Sequence, residues 1–329
     1  MRPNPQFENT GCILSIKDLR TYFHTSEGVA HAVDGVSYHV DAGETIGVVG
    51  ESGCGKSVTA LSILKLIPMP PGEIVSGQIL FEDKDLLQLP LKQMRSIRGN
   101  RISMIFQEPM TSLNPVFTIG QQISRVFRIH ENLSHRAARE KAAAMLAACE
   151  IPTPSQALER YPHELSGGMR QRAMIAMALG CNPALLIADE PTTALDVTIQ
   201  AQIMDLMSRL QQTLGMAMML ITHDLGVVAN AAQRVVVMYA GVKVEEAHAD
   251  TLFKTPAHPY TAALLKSIPT PGKKVKFLPE IRGIVPAPTR KIVGCKFAER
   301  CPEVIPACRE ERPGLREVET RHWVACIRR

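Results

Sequence analysis

Residues Gly50-Glu51-Ser52-Gly53-Cys54-Gly55-Lys56-Ser57 satisfy G-x-x-x-x-G-K-[ST] in full, and no other feature restricts the fold of this chain as strongly. The glycines let backbone N–H groups turn inward around phosphate oxygens, helped by the positive end of the helix that follows. Lys56 pairs in this reading with β- and γ-phosphates, Ser57 offers its hydroxyl to Mg²⁺, and Gly50, Ser52, Gly53, Cys54, Gly55 and Val58 complete the phosphate-facing loop. A Gly-rich turn fits this pattern by chance in about one chain per hundred of this length. The flanks decide against chance. Glu44–Val49 (ETIGVV) turns apolar and ends at Gly50, and Ser57–Leu66 has helical spacing, so the loop joins a buried strand to a helix.

The rest of the chain supplies the sheet that such a loop requires. Ile13–Leu19 and Val33–Val40 alternate as half-buried strands, whereas Ala184–Ala188, Ala217–Ile221 and Arg234–Tyr239 are short apolar runs. Helical patterns over Gly168–Leu179 and Ile199–Leu214 alternate with those runs, which predicts an α/β fold with a mainly parallel sheet. Pro109 to about His163 differs in texture. It contains Ser134–Glu150 (SHRAAREKAAAMLAACE), rich in helix formers and capped by Ser134, and predicts a helical insertion. With 329 residues, 45% hydrophobic and 21% charged, the chain can bury a sizeable core. The longest uncharged stretch, Ala173 to Ala188, is 16 residues and is interrupted by Gly180, Asn182 and Pro183, short of a membrane span. No secretory signal is visible, so a cytoplasmic protein is expected.

Two further motifs carry chemistry. Ala184-Leu185-Leu186-Ile187-Ala188-Asp189-Glu190 is an apolar strand ending in two carboxylates. Strand ends are where an α/β sheet gathers ligands, so Asp189 is read as holding Mg²⁺ and Glu190 as polarising the water that attacks a γ-phosphate. Leu165-Ser166-Gly167-Gly168-Met169-Arg170-Gln171-Arg172 opens a helix just before that strand. It reads either as an ordinary helix start capped by Ser166 or as a second anion-binding turn.

LSGGMRQR resembles the signature of ATP-binding cassette (ABC) proteins, in which two cassettes sandwich two ATP molecules, each between one P-loop and the other subunit's signature. The resemblance implies a P-loop NTPase cassette with a RecA-like core, an antiparallel β subdomain and a helical subdomain. It also implies roles for single residues. Ser166, Gly167, Gly168 and Gln171 would meet the partner's ATP. Gln107, ending ISMIFQ, would be the Q-loop residue near Mg²⁺ or the attacking water. Asp196, in Ala194-Leu195-Asp196, would cross the dimer interface, and His223 would contact the γ-phosphate. Phe23, ahead of Tyr22, resembles the aromatic that stacks on adenine. The catalytic set is thus Glu190, His223 and Gln107, with ATP and Mg²⁺ as ligands.

The remaining segments narrow the resemblance to peptide importers. Glu108-Pro109-Met110-Thr111-Ser112-Leu113-Asn114-Pro115, His258-Pro259-Tyr260-Thr261 and Gly294-Cys295-Lys296-Phe297-x-x-Arg300-Cys301 look like segments of dipeptide/oligopeptide permease ATPases. Residues 12–255 are accordingly expected to form the cassette, with its helical part at about 109–163, and residues 256–329 a small extension within which a Pro-rich linker at 269–272 leads to the Cys-bearing tail. From residue 272 onward there are 14 Lys/Arg against 7 Asp/Glu, whereas the preceding residues hold 23 against 25. The basic balance therefore belongs to the tail, which suggests a partner surface there. Cys295, Cys301, Cys308 and Cys326 are spaced C-x5-C-x6-C-x17-C. Thiolates alone suit an iron–sulfur cluster or zinc, and the resemblance implies [4Fe–4S], with zinc as the alternative. Cys301→Ser is expected to remove that group without touching the P-loop.

The partners implied are a paralogous ATP-binding subunit, two transmembrane permease subunits and an extracytoplasmic peptide-binding protein, with no nucleic acid, at the cytoplasmic face of the bacterial inner membrane. Nickel chelates and glutathione are alternative substrates within the family. A soluble ABC ATPase acting on nucleic acid is the rival class, opposed by the 59 positions between Gln107 and Ser166, too few for a long coiled coil.

Overall fold

A computed structural model describes residues 11–107, 112–193, 195–267 and 280–329. The chain forms two compact, discontinuous units. One takes the chain up to Ile13 together with Val40–Glu44 and Gln88–Met219; the other takes Leu14–His39, Thr45–Leu87 and Leu220–Arg329.

In the first unit the strands Ile102–Ile105 and Leu185–Asp189 pair in parallel, Ile102 opposite Leu185 and Ile105 opposite Ala188. Every residue of Leu185–Asp189 is buried, which explains why its sequence is a continuous apolar run rather than an alternation. The helix Gly167–Leu179 precedes that strand and Val197–Leu214 follows it. The predicted insertion is helical: Ile119–His130 and His135–Ala148 pack on each other and on Gly167–Leu179. Thr118 and Gln121 form a reciprocal capping box at the first, and Ser134 Oγ accepts from the Ala137 N–H at the second, as its sequence predicts. Ile119, Ile123 and Phe127 bury one face at four-residue spacing. Pro109, where the insertion is expected to begin, lies outside the described residues.

The second unit contains the greater part of an antiparallel sheet in the order Gly28–Asp41, Cys12–Thr25, Gly72–Phe81, Lys84–Asp85. It also holds the pair Thr45–Val49 and Arg234–Tyr239, parallel with Ile46 opposite Arg234. Val242–His248 returns antiparallel to the latter. The last residues of the chain extend this sheet: His322–Val324 pairs with Val242–His248, Glu245 opposite Val324, and Arg316–Glu319 pairs with His322–Val324. The expected linker at 269–272 lies outside the described residues. Glu245, fully buried, ties the extension down, since its carboxylate accepts from the Ala257 N–H at 2.7 Å, the His258 N–H at 2.9 Å and His322 Nε2 at 2.7 Å.

A buried charge triad lies on the same sheet. Arg234 and Lys243 both donate to the Glu246 carboxylate, and all three side chains are at most 9% exposed. Burial alone pushes the Glu246 carboxyl up, but Lys243 and Arg234 overcome it and hold it below the ordinary carboxylate range. The stabilisation is therefore complete above the unfolded-state value near 4.5 and lost as pH falls through the depressed folded value. Glu246→Ala, which strands two cations, is expected to cost about 3–5 kcal/mol. Its melting temperature should also fall less steeply than that of the wild type between pH 5 and pH 3.

Candidate nucleotide site

The strand Thr45–Val49 ends one residue before Gly50, and the helix Lys56–Ile63 begins at the loop's lysine. Gly50 has φ 151°, and a Cβ there would lie 2.2 Å from the Met238 carbonyl oxygen; Gly55 has φ 99°, and a Cβ would lie 2.3 Å from the Ala32 oxygen. Only glycine fits either position. Gly55 also occupies the N-cap of the helix without a side-chain acceptor, so no cap competes for the first helical amides at Lys56, Ser57 and Val58. Ser52 and Gly53 are exposed, and Cys54 is buried, its thiol pushed up mainly by that burial. Lys56 is 6% exposed, and its ammonium donates to the Gly50 oxygen at 2.8 Å and the Glu51 oxygen at 3.1 Å. A glycine-rich turn at an uncapped helix start, enclosing a caged cation, suits a polyphosphate.

In the same unit, Phe23 is half-buried on the first strand opposite Gly72. Tyr22 is committed elsewhere: its hydroxyl donates to Asp34 Oδ1 at 3.1 Å and its ring lies 4.1 Å from that of His31. His223 is exposed at the end of Ala217–Ile221, just before the helix that Asp224 caps.

The first unit joins two motifs that are far apart in sequence. Gln107 Nε2 donates to Glu190 Oε2 at 3.0 Å, and Thr193 Oγ1 donates to the same oxygen at 2.9 Å. Glu190 adopts φ 47°, a left-handed conformation that costs a non-glycine residue about 1–2 kcal/mol and turns it sharply off the strand end. Asp189, before it, is 4% exposed. Thr193 had no signal in the sequence beyond its place three residues after Glu190.

Ser166 caps Gly167–Leu179, its Oγ accepting from the Met169 N–H at 3.3 Å. A Cβ on Gly168 would lie 3.1 Å from Ile199 Cγ2, which allows the start of Val197–Leu214 close to the turn. Asp196 caps that helix, accepting from Ile199 N–H at 3.0 Å. Ala194, beside it in the expected D-loop, lies outside the described residues. Gln171 departs from expectation. It is 1% exposed, turned inward one helical turn past the glycines, and its amide makes no hydrogen bond among the described residues. Helical periodicity places it on the inner face of Gly167–Leu179.

Cys295, Cys301, Cys308 and Cys326 all line one small cavity with His258, Pro259 and Phe297. Among the described residues no group of three or more His, Cys, Asp or Glu side chains is gathered closely enough to hold a single metal ion.

Two family profiles match the chain: ABC transporter over residues 33–193, and oligopeptide/dipeptide transporter, C-terminal region, over residues 244–308. The oligopeptide transport ATP-binding protein AppD of Bacillus subtilis is 51% identical over 96% of this chain and 96% of its own length. The dipeptide transport ATP-binding protein DppD of the same organism is 48% identical over 95% of this chain and 94% of its own. Among solved structures, the dimeric post-hydrolysis state of the ATP-binding cassette MJ0796, bound to ADP and Pi, superposes with a TM-score of 0.65 at 26% identity, covering 72% of this chain and 98% of that one.

Proposed function

The chain belongs to the ABC transporter family, in its oligopeptide/dipeptide branch, and on that premise we propose that it supplies half of each of two ATP sites in a peptide importer. It is the ATP-hydrolysing subunit of that importer. The observation that carries the two-site reading is that one chain presents two distinct phosphate-grasping turns: the P-loop, which encloses Lys56, and the exposed helix start at Ser166. Two such turns need not serve one nucleotide. The solved relative is a dimer with ADP and Pi, which suits a sandwich of this kind.

In this reading the P-loop amides and Lys56 bind the triphosphate, Phe23 stacks on the base, and Ser57, Asp189 and Gln107 would hold Mg²⁺. Mg²⁺, when bound, neutralises charge on the β- and γ-phosphate oxygens. Glu190, oriented by Gln107 and Thr193, takes the proton of a water attacking the γ-phosphorus in line, and His223 steadies the γ-phosphate. Ser166, Gly167 and Gly168 would meet the partner's ATP, and Asp196 would lie at the interface.

The permease is assigned to the helical insertion at about 109–163 and the surface beside Gln107; Phe106 in the latter and Val116 and Phe117 in the former are exposed at 40%, 70% and 43%. Exposed aromatic and aliphatic side chains of this kind mark a docking face. A paralogous ATPase, two permease subunits and a peptide-binding protein complete the complex, with this chain peripheral on the cytoplasmic side of the inner membrane. No helix among the described residues is long and apolar enough to cross a membrane.

Residues 12–255 are taken as the cassette and 256–329 as its extension. To the four tail cysteines we assign a [4Fe–4S] cluster. The support is that all four thiols line one small cavity. Native mass spectrometry of the complex, extracted anaerobically in detergent from membranes, tests these assignments together. Membrane subunits, a second ATPase and four irons per chain are expected. Recovery with nucleic acid and no membrane chain overturns the transporter assignment, and zinc in place of iron overturns the cluster.

A further inference from the structure

The P-loop is an anion-binding loop that contains a carboxylate. Glu51, its second residue, would set a negative charge beside a triphosphate unless something cancels it. In the structure that something comes from the extension. Arg300 grips the Glu51 carboxylate with both ends of its guanidinium, Nη1 at 2.6 Å and Nη2 at 2.9 Å, and the arginine side chain is only 5% exposed. Its other contacts hold it in place: Nε donates to the Arg282 oxygen at 3.0 Å, Nη2 to the Ile281 oxygen at 3.1 Å and Nη1 to the Tyr239 hydroxyl at 3.3 Å. A second residue of the extension holds the backbone of the same loop position, since the Glu51 N–H donates to Tyr260 Oη at 2.9 Å. Tyr260, Tyr239 and Phe297 pack as one aromatic cluster, with ring centroids 4.7–5.4 Å apart. The Glu51 carbonyl fixed in this way is one of the two that the Lys56 ammonium grips.

We propose that Arg300 and Tyr260 are positioning residues of the nucleotide site, and that the four-Cys segment and the P-loop form one linked equilibrium through Glu51. Arg300 immediately precedes Cys301, within the turn where the Arg300 N–H donates to the Phe297 oxygen and the Ala298 N–H to the Cys295 oxygen. Whatever disorders that turn withdraws the guanidinium and leaves Glu51 facing the phosphates. Reciprocity then requires bound nucleotide to stabilise the turn. On this proposal a change at Cys301 would reach the P-loop through the neighbouring Arg300, where the sequence alone predicts that it spares the loop.

A binding cycle on the full chain tests the proposal, with MgATP affinity as the readout. Arg300→Met is expected to weaken binding about tenfold, and Arg300→Lys, which keeps the charge, by no more than about threefold. Adding Glu51→Gln to Arg300→Met should restore affinity to within about threefold of wild type, because the opposing charge is gone. An Arg300→Met chain that binds as wild type overturns the proposal. So does a double variant as weak as Arg300→Met, since Arg300 would then act only by supporting the fold. The inference rests on the nucleotide-site assignment, and the two fail separately: a wild-type chain that does not bind MgATP removes the assignment, whereas an indifferent Arg300→Met removes only the linkage.

Discussion

Glu190→Gln should bind MgATP within about twofold of wild type while turnover in the assembled transporter falls by about 10²–10⁴-fold, the range that a positioned general base contributes. The substitution keeps the shape of the side chain and removes its basicity. Two neutral donors, Gln107 Nε2 and Thr193 Oγ1, converge on Oε2, an arrangement that orients a carboxylate without itself bringing a cation to it. The left-handed backbone at Glu190 points the same way, since strain of that kind persists only where the surroundings enforce it. The amide variant can still accept through its oxygen from both donors, so the local structure should hold and ATP-loaded, closed complexes should accumulate. Steady-state hydrolysis beside equilibrium nucleotide binding reads both halves of the prediction. Brisk turnover would show that another group takes the proton, whereas loss of binding would show that Glu190 shapes the site rather than serving the chemistry. Gln107→Ala offers a milder comparison, because it removes one orienting bond and leaves the base.

The sequence was most legible where one physical demand fixes one residue type. Gly50 and Gly55 are glycines because carbonyl oxygens lie where a Cβ would be, and the apolar run before Asp189 is a strand buried throughout. The Ser134 cap and the helix it opens follow from helix propensity. Legibility ended where a role depends on a partner distant in sequence. Thr193 orients Glu190 and Tyr260 holds the Glu51 amide, and neither pattern marks such a task. The separation of 249 positions between Glu51 and Arg300 hides their pairing from any local reading. Gln171 shows the opposite error. A motif lends its name to every position within it, but helix geometry sends the fourth residue after the first glycine into the core. Part of the basic charge of the extension is likewise used at long range within the chain, Arg300 on Glu51 and Lys296 on Asp34.

The other large effect is expected at Lys56. Lys56→Met should weaken MgATP binding about 100-fold or more, equivalent to about 3 kcal/mol, because it removes a charge-assisted contact to the phosphates from a site where water cannot replace it. Methionine matches the length of the lysine stem and suits a side chain that is 6% exposed, so the melting temperature should change far less than affinity does. Lys56→Arg should not rescue binding, since a planar guanidinium cannot take the place of an ammonium that meets the Gly50 and Glu51 carbonyls at 2.8 and 3.1 Å. Equilibrium titration with a nonhydrolysable ATP analogue measures the loss, and affinity within tenfold of wild type would refute it. Comparison with Arg300→Met separates two kinds of electrostatic work around one loop. Lys56 attracts the phosphates directly, whereas Arg300 cancels a charge that would repel them. Glu51→Gln should therefore repair the second defect and leave the first almost untouched, because removing a repulsion does not replace a missing attraction.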